Sequence, residues 1–149
     1  MKKLAFSTVV AVSIGAAACS SSSSGGAVGT VPTIATTTSG SLTLDAAKHA
    51  NVNYSVTNFT VQAPGTGCAA SSNNCGHIHL LIDGTACNGP GAPYNIEVNG
   101  PSPAVAQFNL CGTPTGAHTL TMELHHDDHS AVKDANGNTV SVTSNVTTQ

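Results

Sequence analysis

Two imidazoles two residues apart carry the first chemistry of this chain, in Gly76-His77-Ile78-His79-Leu80-Leu81-Ile82-Asp83-Gly84. In an extended strand, successive side chains point to opposite faces. Ile78, Leu80 and Ile82 then share one face, and His77, His79, Leu81 and Asp83 share the other. Neighbouring imidazoles on one face make half of a transition-metal site, because neutral ring nitrogen suits zinc and copper. A second stretch, His118-Thr119-Leu120-Thr121-Met122-Glu123-Leu124-His125-His126-Asp127-Asp128-His129, carries four more histidines. Period two puts His118 and His126 on the stripe of Leu120, Met122 and Leu124, with Thr119, Thr121, Glu123 and His125 on the other face.

Closing a site on His77 and His79 requires His125 from a neighbouring strand, or His126 and His129 from the turn after it. The candidate ligands for copper or zinc are therefore His77, His79, His118, His125, His126 and His129. Asp127 and Asp128 are candidates to orient an imidazole from behind. Asp83 lies too far along its strand to join, and His49 stands alone. The same histidines also read as hydrogen-bonded or solvated strand residues with no ligand. The choice depends on whether the two stretches meet.

Other chemistry is thin. No G-x-S-x-G elbow or paired-carboxylate context is present, so no catalytic residue is assigned. Asp134-Ala135-Asn136-Gly137-Asn138 lacks the later glutamate of a calcium loop and reads as a turn.

The elements that must position these groups are strands. Val52, Tyr54 and Val56 alternate, and Phe59 and Val61 continue on a shifted phase, so a kink is expected at Thr57-Asn58. The histidine strand follows a Gly/Asn/Ser loop over residues 63–75 and ends in the turn Asp83-Gly84. Further strands are expected at residues 95–98, at 104–110, from Gly116 onward, and around Val140 and Val142. Short strands at this spacing predict an all-β fold, an antiparallel immunoglobulin-like β-sandwich of about seven strands over residues 41–149.

The N-terminus reads as an export signal over residues 1–18. Lys2 and Lys3 precede a mostly apolar run too short to span a bilayer, and Ala16-Ala17-Ala18 leads into Cys19. The join resembles the lipobox of bacterial lipoproteins, with Ala16 where leucine is usual. That resemblance implies a lipid anchor on Cys19, a membrane as partner, and a place in the cell envelope, at the outer membrane facing periplasm or surface. Ordinary signal cleavage after Ala18 is the alternative. Residues 19–40, rich in serine, glycine and threonine, read as a flexible tether.

Export shapes the reading of the other cysteines. Cys68, Cys75, Cys87 and Cys111 are an even set for an oxidising compartment, and the pairing expected is Cys68–Cys75 with Cys87–Cys111. A thiolate metal site is the rival, but no spacing is C-x2-C. The mature part, about 130 residues, suits one domain with a modest core. Only Lys48 and Lys133 remain after the signal, against seven carboxylates. Such a surface does not neutralise phosphates, which argues against nucleic acid as partner. Nothing points to a particular protein partner.

Two resemblances bear on the histidines. Gly76-His77-Ile78-His79-Leu80-Leu81-Ile82-Asp83, Gly116-Ala117-His118-Thr119-Leu120 and His126-Asp127-Asp128-His129 resemble, in order, the Gly-His-His-His-Leu-Leu-Ile-Asp core, Gly-x-His-Thr-Leu strand and Asp-x-x-His turn of bacterial exported domains of unknown function. The likeness covers residues 56–142. It implies an immunoglobulin-like sandwich and no established activity. A fainter resemblance, to copper/zinc superoxide dismutase, rests on His77-Ile78-His79, Cys87 and Gly91-Ala92-Pro93-Tyr94-Asn95. It implies a dismutase-like metalloenzyme, although Pro93 stands where that family has its bridging histidine. Metal binding, a structural or adhesive envelope module, and a dismutase are the functions in play.

Overall fold

The computed structural model describes residues 30–68, 72 and 74–149. The signal segment, Cys19 and the first part of the tether lie outside the described residues.

The apolar alternation of the first histidine stretch becomes the central strand. In chain order the strands are β1 (Thr33–Thr36), β2 (Gly40–Leu42), β3 (His49–Val52), β4 (Tyr54–Thr57) and β5 (Thr60–Val61). They continue with β6 (Cys75–Ile82), β7 (Ile96–Val98), β8 (Ala104–Gln107), β9 (Gly116–His125) and β10 (Ser141–Thr148). The main sheet runs β2-β10-β9-β6-β5, with β7 also pairing with β6. Within it β2 is parallel to β10 and β5 to β6, and the other pairings are antiparallel. Two antiparallel pairs, β1–β4 and β3–β8, complete the strands.

One face of β6 and β9 is apolar, and that periodicity determines which way the sheet faces. Ile78, Leu80 and Ile82 are fully buried, as are Leu120, Met122 and Leu124 opposite them. They share a core with Ile34, Val52 and Ala106 from the two smaller pairs and with Phe108 just after β8. Each large aliphatic side chain so buried contributes about 1.5–3 kcal/mol relative to exposure. The same period turns His77 and His79 outward, onto the other face of the sheet.

The chain is all-β, with a single 3-10 turn at Phe108–Leu110 among the described residues. The described residues form ten strands rather than about seven. The long strand expected through residues 51–62 is cut at Asn53 and again at Asn58, whose φ of 57° bends the chain where the phase shifts. The strand expected over residues 104–110 stops at Gln107 and turns. Part of the expected tether is ordered, because Thr33–Thr36 pairs with Tyr54–Thr57 and Gly40–Leu42 pairs with β10. Neither segment has an apolar stripe long enough to announce a strand. Both disulfides, Cys68–Cys75 and Cys87–Cys111, have the expected pairing and belong to an oxidising environment. No helix among the described residues is long and apolar enough to cross a membrane.

Candidate metal centre

The outward face of β6 and its neighbours gathers the polar groups into rows. Register sets Glu97 of β7 and Glu123 of β9 on either side of His79, and His125 of β9 beside His77. Gly76 makes the second contact possible. A Cβ there would collide with the carbonyl oxygen of His125, so any larger residue would push β9 away from His77. The chain then leaves β9 through a tight turn that swings His129 back over the face. In that turn the His129 N–H donates to the His126 carbonyl at 3.0 Å, and the His126 N–H donates to Ser130 at 2.8 Å. His129 holds a left-handed backbone (φ 64°), a conformation unusual for a residue with a side chain and one that recurs at functional sites.

Three ring nitrogens meet. His77 Nε2 lies 3.0 Å from His79 Nε2 and 3.2 Å from His129 Nδ1, and the last two are 3.3 Å apart. Glu97 Oε2 stands 3.9 Å from His77 Nε2 and 3.7 Å from His129 Nδ1. Donors at about 2.0–2.1 Å around a tetrahedral zinc ion lie roughly 3.3 Å from one another. The three nitrogens match that spacing, and the four residues His77, His79, Glu97 and His129 can hold a metal ion. Without a cation the triangle is frustrated. Each of the three nitrogens carries either a proton or a lone pair, so at least one pair sets like against like, lone pair to lone pair or N–H to N–H.

The base of the site is dry and its rim is open. His77 is fully buried and His79 is 5 % exposed, whereas the His129 side chain is 46 % exposed. Burial drives the His79 imidazole down to about 3, reinforced by His125, His77 and His129. Burial likewise lowers His77, with Glu97 opposing the shift and His129 and His125 adding to it. Both rings therefore stay neutral through the physiological range, the form that ligates metal. Tyr94 packs its ring on His79 at a centroid distance of 4.1 Å, and its O–H donates to Glu97 Oε2 at 3.1 Å. That bond steadies the carboxylate. Burial and the adjacent Glu97 raise the Tyr94 phenol, which keeps its proton for this role.

The six histidines singled out in the sequence divide. His77, His79 and His129 converge, and His125 stacks on His79 with centroids 3.7 Å apart and planes at 21°. His118 and His126 lie elsewhere, as the opposite phase of their stripe requires. His118 is seven residues along β9 from His125, about 23 Å at a strand's rise. Its Nδ1 bonds Asp83 Oδ2 at 2.6 Å and its ring packs on Phe108. Burial pushes the Asp83 carboxyl up, but the bonds from Thr119 and His118 together hold it below the usual range. His126 Nδ1 donates to the Ser72 carbonyl at 3.0 Å.

Neither Asp127 nor Asp128 bonds an imidazole. Asp127 accepts the Gly65 N–H at 2.8 Å. Asp128 accepts the Ser130 N–H at 2.9 Å, so it acts on the turn that presents His129 rather than on a ring. Glu97 and Tyr94 were missed from sequence. The alternation Ile96-Glu97-Val98 does place Glu97 on a polar face, but only the pairing of β7 with β6 sets it opposite His79. No family model, curated protein or solved structure matches this chain significantly.

Proposed function

We propose that this chain is an exported, lipid-anchored metal-binding protein of the bacterial cell envelope, which takes a divalent transition-metal ion, copper or zinc, on the outward face of its main sheet. His77, His79 and His129 are the imidazole ligands and Glu97 is the carboxylate. The reading is supported above all by the triangle of ring nitrogens with sides of 3.0, 3.2 and 3.3 Å, from two strand positions and a distant turn. The open rim at His129 leaves room for an exogenous ligand or for exchange of the ion, which suits capture and delivery. Spacing near tetrahedral favours zinc, while the general order of affinities favours copper, so competition between them decides the metal.

The test is the metal content of the full chain purified without a histidine tag. Near-stoichiometric copper or zinc, lost in His77→Ala/His79→Ala with the disulfides and strand content retained, supports the reading. A wild-type protein that ignores added Zn(II) and Cu(II) overturns it and leaves the structural envelope module. Cys19→Ser addresses the anchor separately. It should move the protein from the detergent phase to the aqueous phase on Triton X-114 partition, and unchanged partition refutes lipidation.

A further inference from the structure

Glu97 brings the carboxylate to the candidate centre, and each of its two oxygens has a partner of its own. Asn99, just past the end of β7, donates from Nδ2 to Glu97 Oε1 at 2.9 Å. An asparagine N–H2 group only donates, so Oε1 is the acceptor. On the other side, the Tyr94 O–H donates to Oε2 at 3.1 Å. Oε2 is also the oxygen turned to the imidazoles, 3.9 Å from His77 Nε2 and 3.7 Å from His129 Nδ1. Glu97 therefore presents one oxygen to the triangle while Asn99 engages the other.

The sequence places Asn99 for this contact and packing does not demand it. Two residues along an extended chain return a side chain to the same face, so Asn99 and Glu97 lie on one side. Asn99 is exposed, so the core sets no requirement on its type. The count of donors that a site offers is what selects among cations. With Oε1 engaged, the centre offers three nitrogens and one oxygen, the four donors of a small tetrahedral ion. A larger cation fills a wider sphere and commonly takes both oxygens of a carboxylate, as calcium does. To do so here it must break the bond from Asn99.

We propose that Asn99 is a specificity-determining residue of this centre. By holding Glu97 Oε1 it keeps the carboxylate monodentate through Oε2, and so favours a small four-coordinate ion over a large one. Asn99 acts through Glu97 as a positioning residue and is not itself a ligand. This inference rests on the proposed function and deepens it.

The experiment compares Zn(II) with Cd(II), which accepts imidazole but is close to calcium in size. Affinities are read on the metal-free full chain by competition with a chelator, and carboxylate coordination by infrared difference spectra. Asn99→Ala should lower zinc affinity about tenfold, the usual cost of losing an outer hydrogen-bond partner, and leave cadmium affinity within about twofold. Wild type with zinc should show the widely separated carboxylate stretches of a monodentate ligand. The variant with cadmium should show the closer pair of a bidentate one. In a Glu97→Ala background, Asn99→Ala should leave the ratio of zinc to cadmium affinity unchanged, because no carboxylate remains to be held. An equal change for both ions, or a ratio that still shifts without Glu97, overturns the proposal. A bidentate signature for zinc in wild type overturns it as well, without recourse to any variant. Absence of any tight zinc step in wild type is a separate result, which overturns the centre itself.

Discussion

Acid should weaken the metal-free fold through His79, and the size of the effect follows from its burial. The folded imidazole resists its proton down to about 3, because the ring is 5 % exposed and packed among His125, His77 and His129. In the unfolded chain it takes that proton near 6.5. The folded pKa is thus depressed for a base, so between these values the unfolded state binds more protons. Stability then rises with pH across the window, is complete above the unfolded value, and is lost as pH falls from about 6.5 toward 3. Each pH unit well inside the window costs about 1.4 kcal/mol for one such group. Between pH 7 and pH 5, His79 alone should therefore remove about 2 kcal/mol. His77, shifted in the same direction, adds to the loss. At about 1–3 kcal/mol per molar of urea, the His79 share corresponds to a midpoint shift of about 1 M. The assay is urea unfolding with chelator present and disulfides intact, in wild type and His79→Gln at both pH values. This window lies above the titration of ordinary carboxylates, which keeps their contribution out. Equal pH dependence in the two proteins would show that His79 protonates freely in the fold, and the reasoning from burial would fail.

Three substitutions probe the supports of the site. Gly76→Ala forces a methyl group into the His125 carbonyl and should cost about 1–3 kcal/mol in urea unfolding while abolishing the tight metal step. Wild-type behaviour would mean that β6 and β9 need no such close approach. Tyr94→Phe keeps the ring on His79 and removes the O–H that holds Glu97, so zinc affinity measured by calorimetry should fall about tenfold with stability little changed. Asp83→Ala leaves His118 with neither ring nitrogen paired and should cost about 1–3 kcal/mol while metal affinity stays at the wild-type value. A loss of metal binding in that variant would contradict the separation of the His118–Asp83 contact from the centre.

Strand identity was legible where one face is apolar over several residues. Ile78, Leu80 and Ile82, and likewise Leu120, Met122 and Leu124, could be assigned inward because period-two burial leaves a direct trace in residue type. The kink at Asn58 was readable from the shift of phase between Val56 and Phe59. Thr33–Thr36 was not readable as a strand, since its pairing partner, rather than its own composition, makes it one. The turn at Phe108–Leu110 was hidden for the opposite reason, because apolar alternation continues past the point where the backbone stops being extended.

By itself the sequence determined that the chain is all-β and that His77 and His79 share one face of a strand, opposite the apolar face of Ile78, Leu80 and Ile82. These properties are local, because each depends on residue type and the two-residue period of a strand. The tertiary structure alone decided which other groups join them. His129 enters through a left-handed turn and Glu97 through the register of a three-residue strand, while His118 is carried to the far end of β9. A coordination sphere is a few ångströms across, and contacts on that scale between segments fifty residues apart are set by strand pairing and turn geometry, which no single stretch of sequence contains.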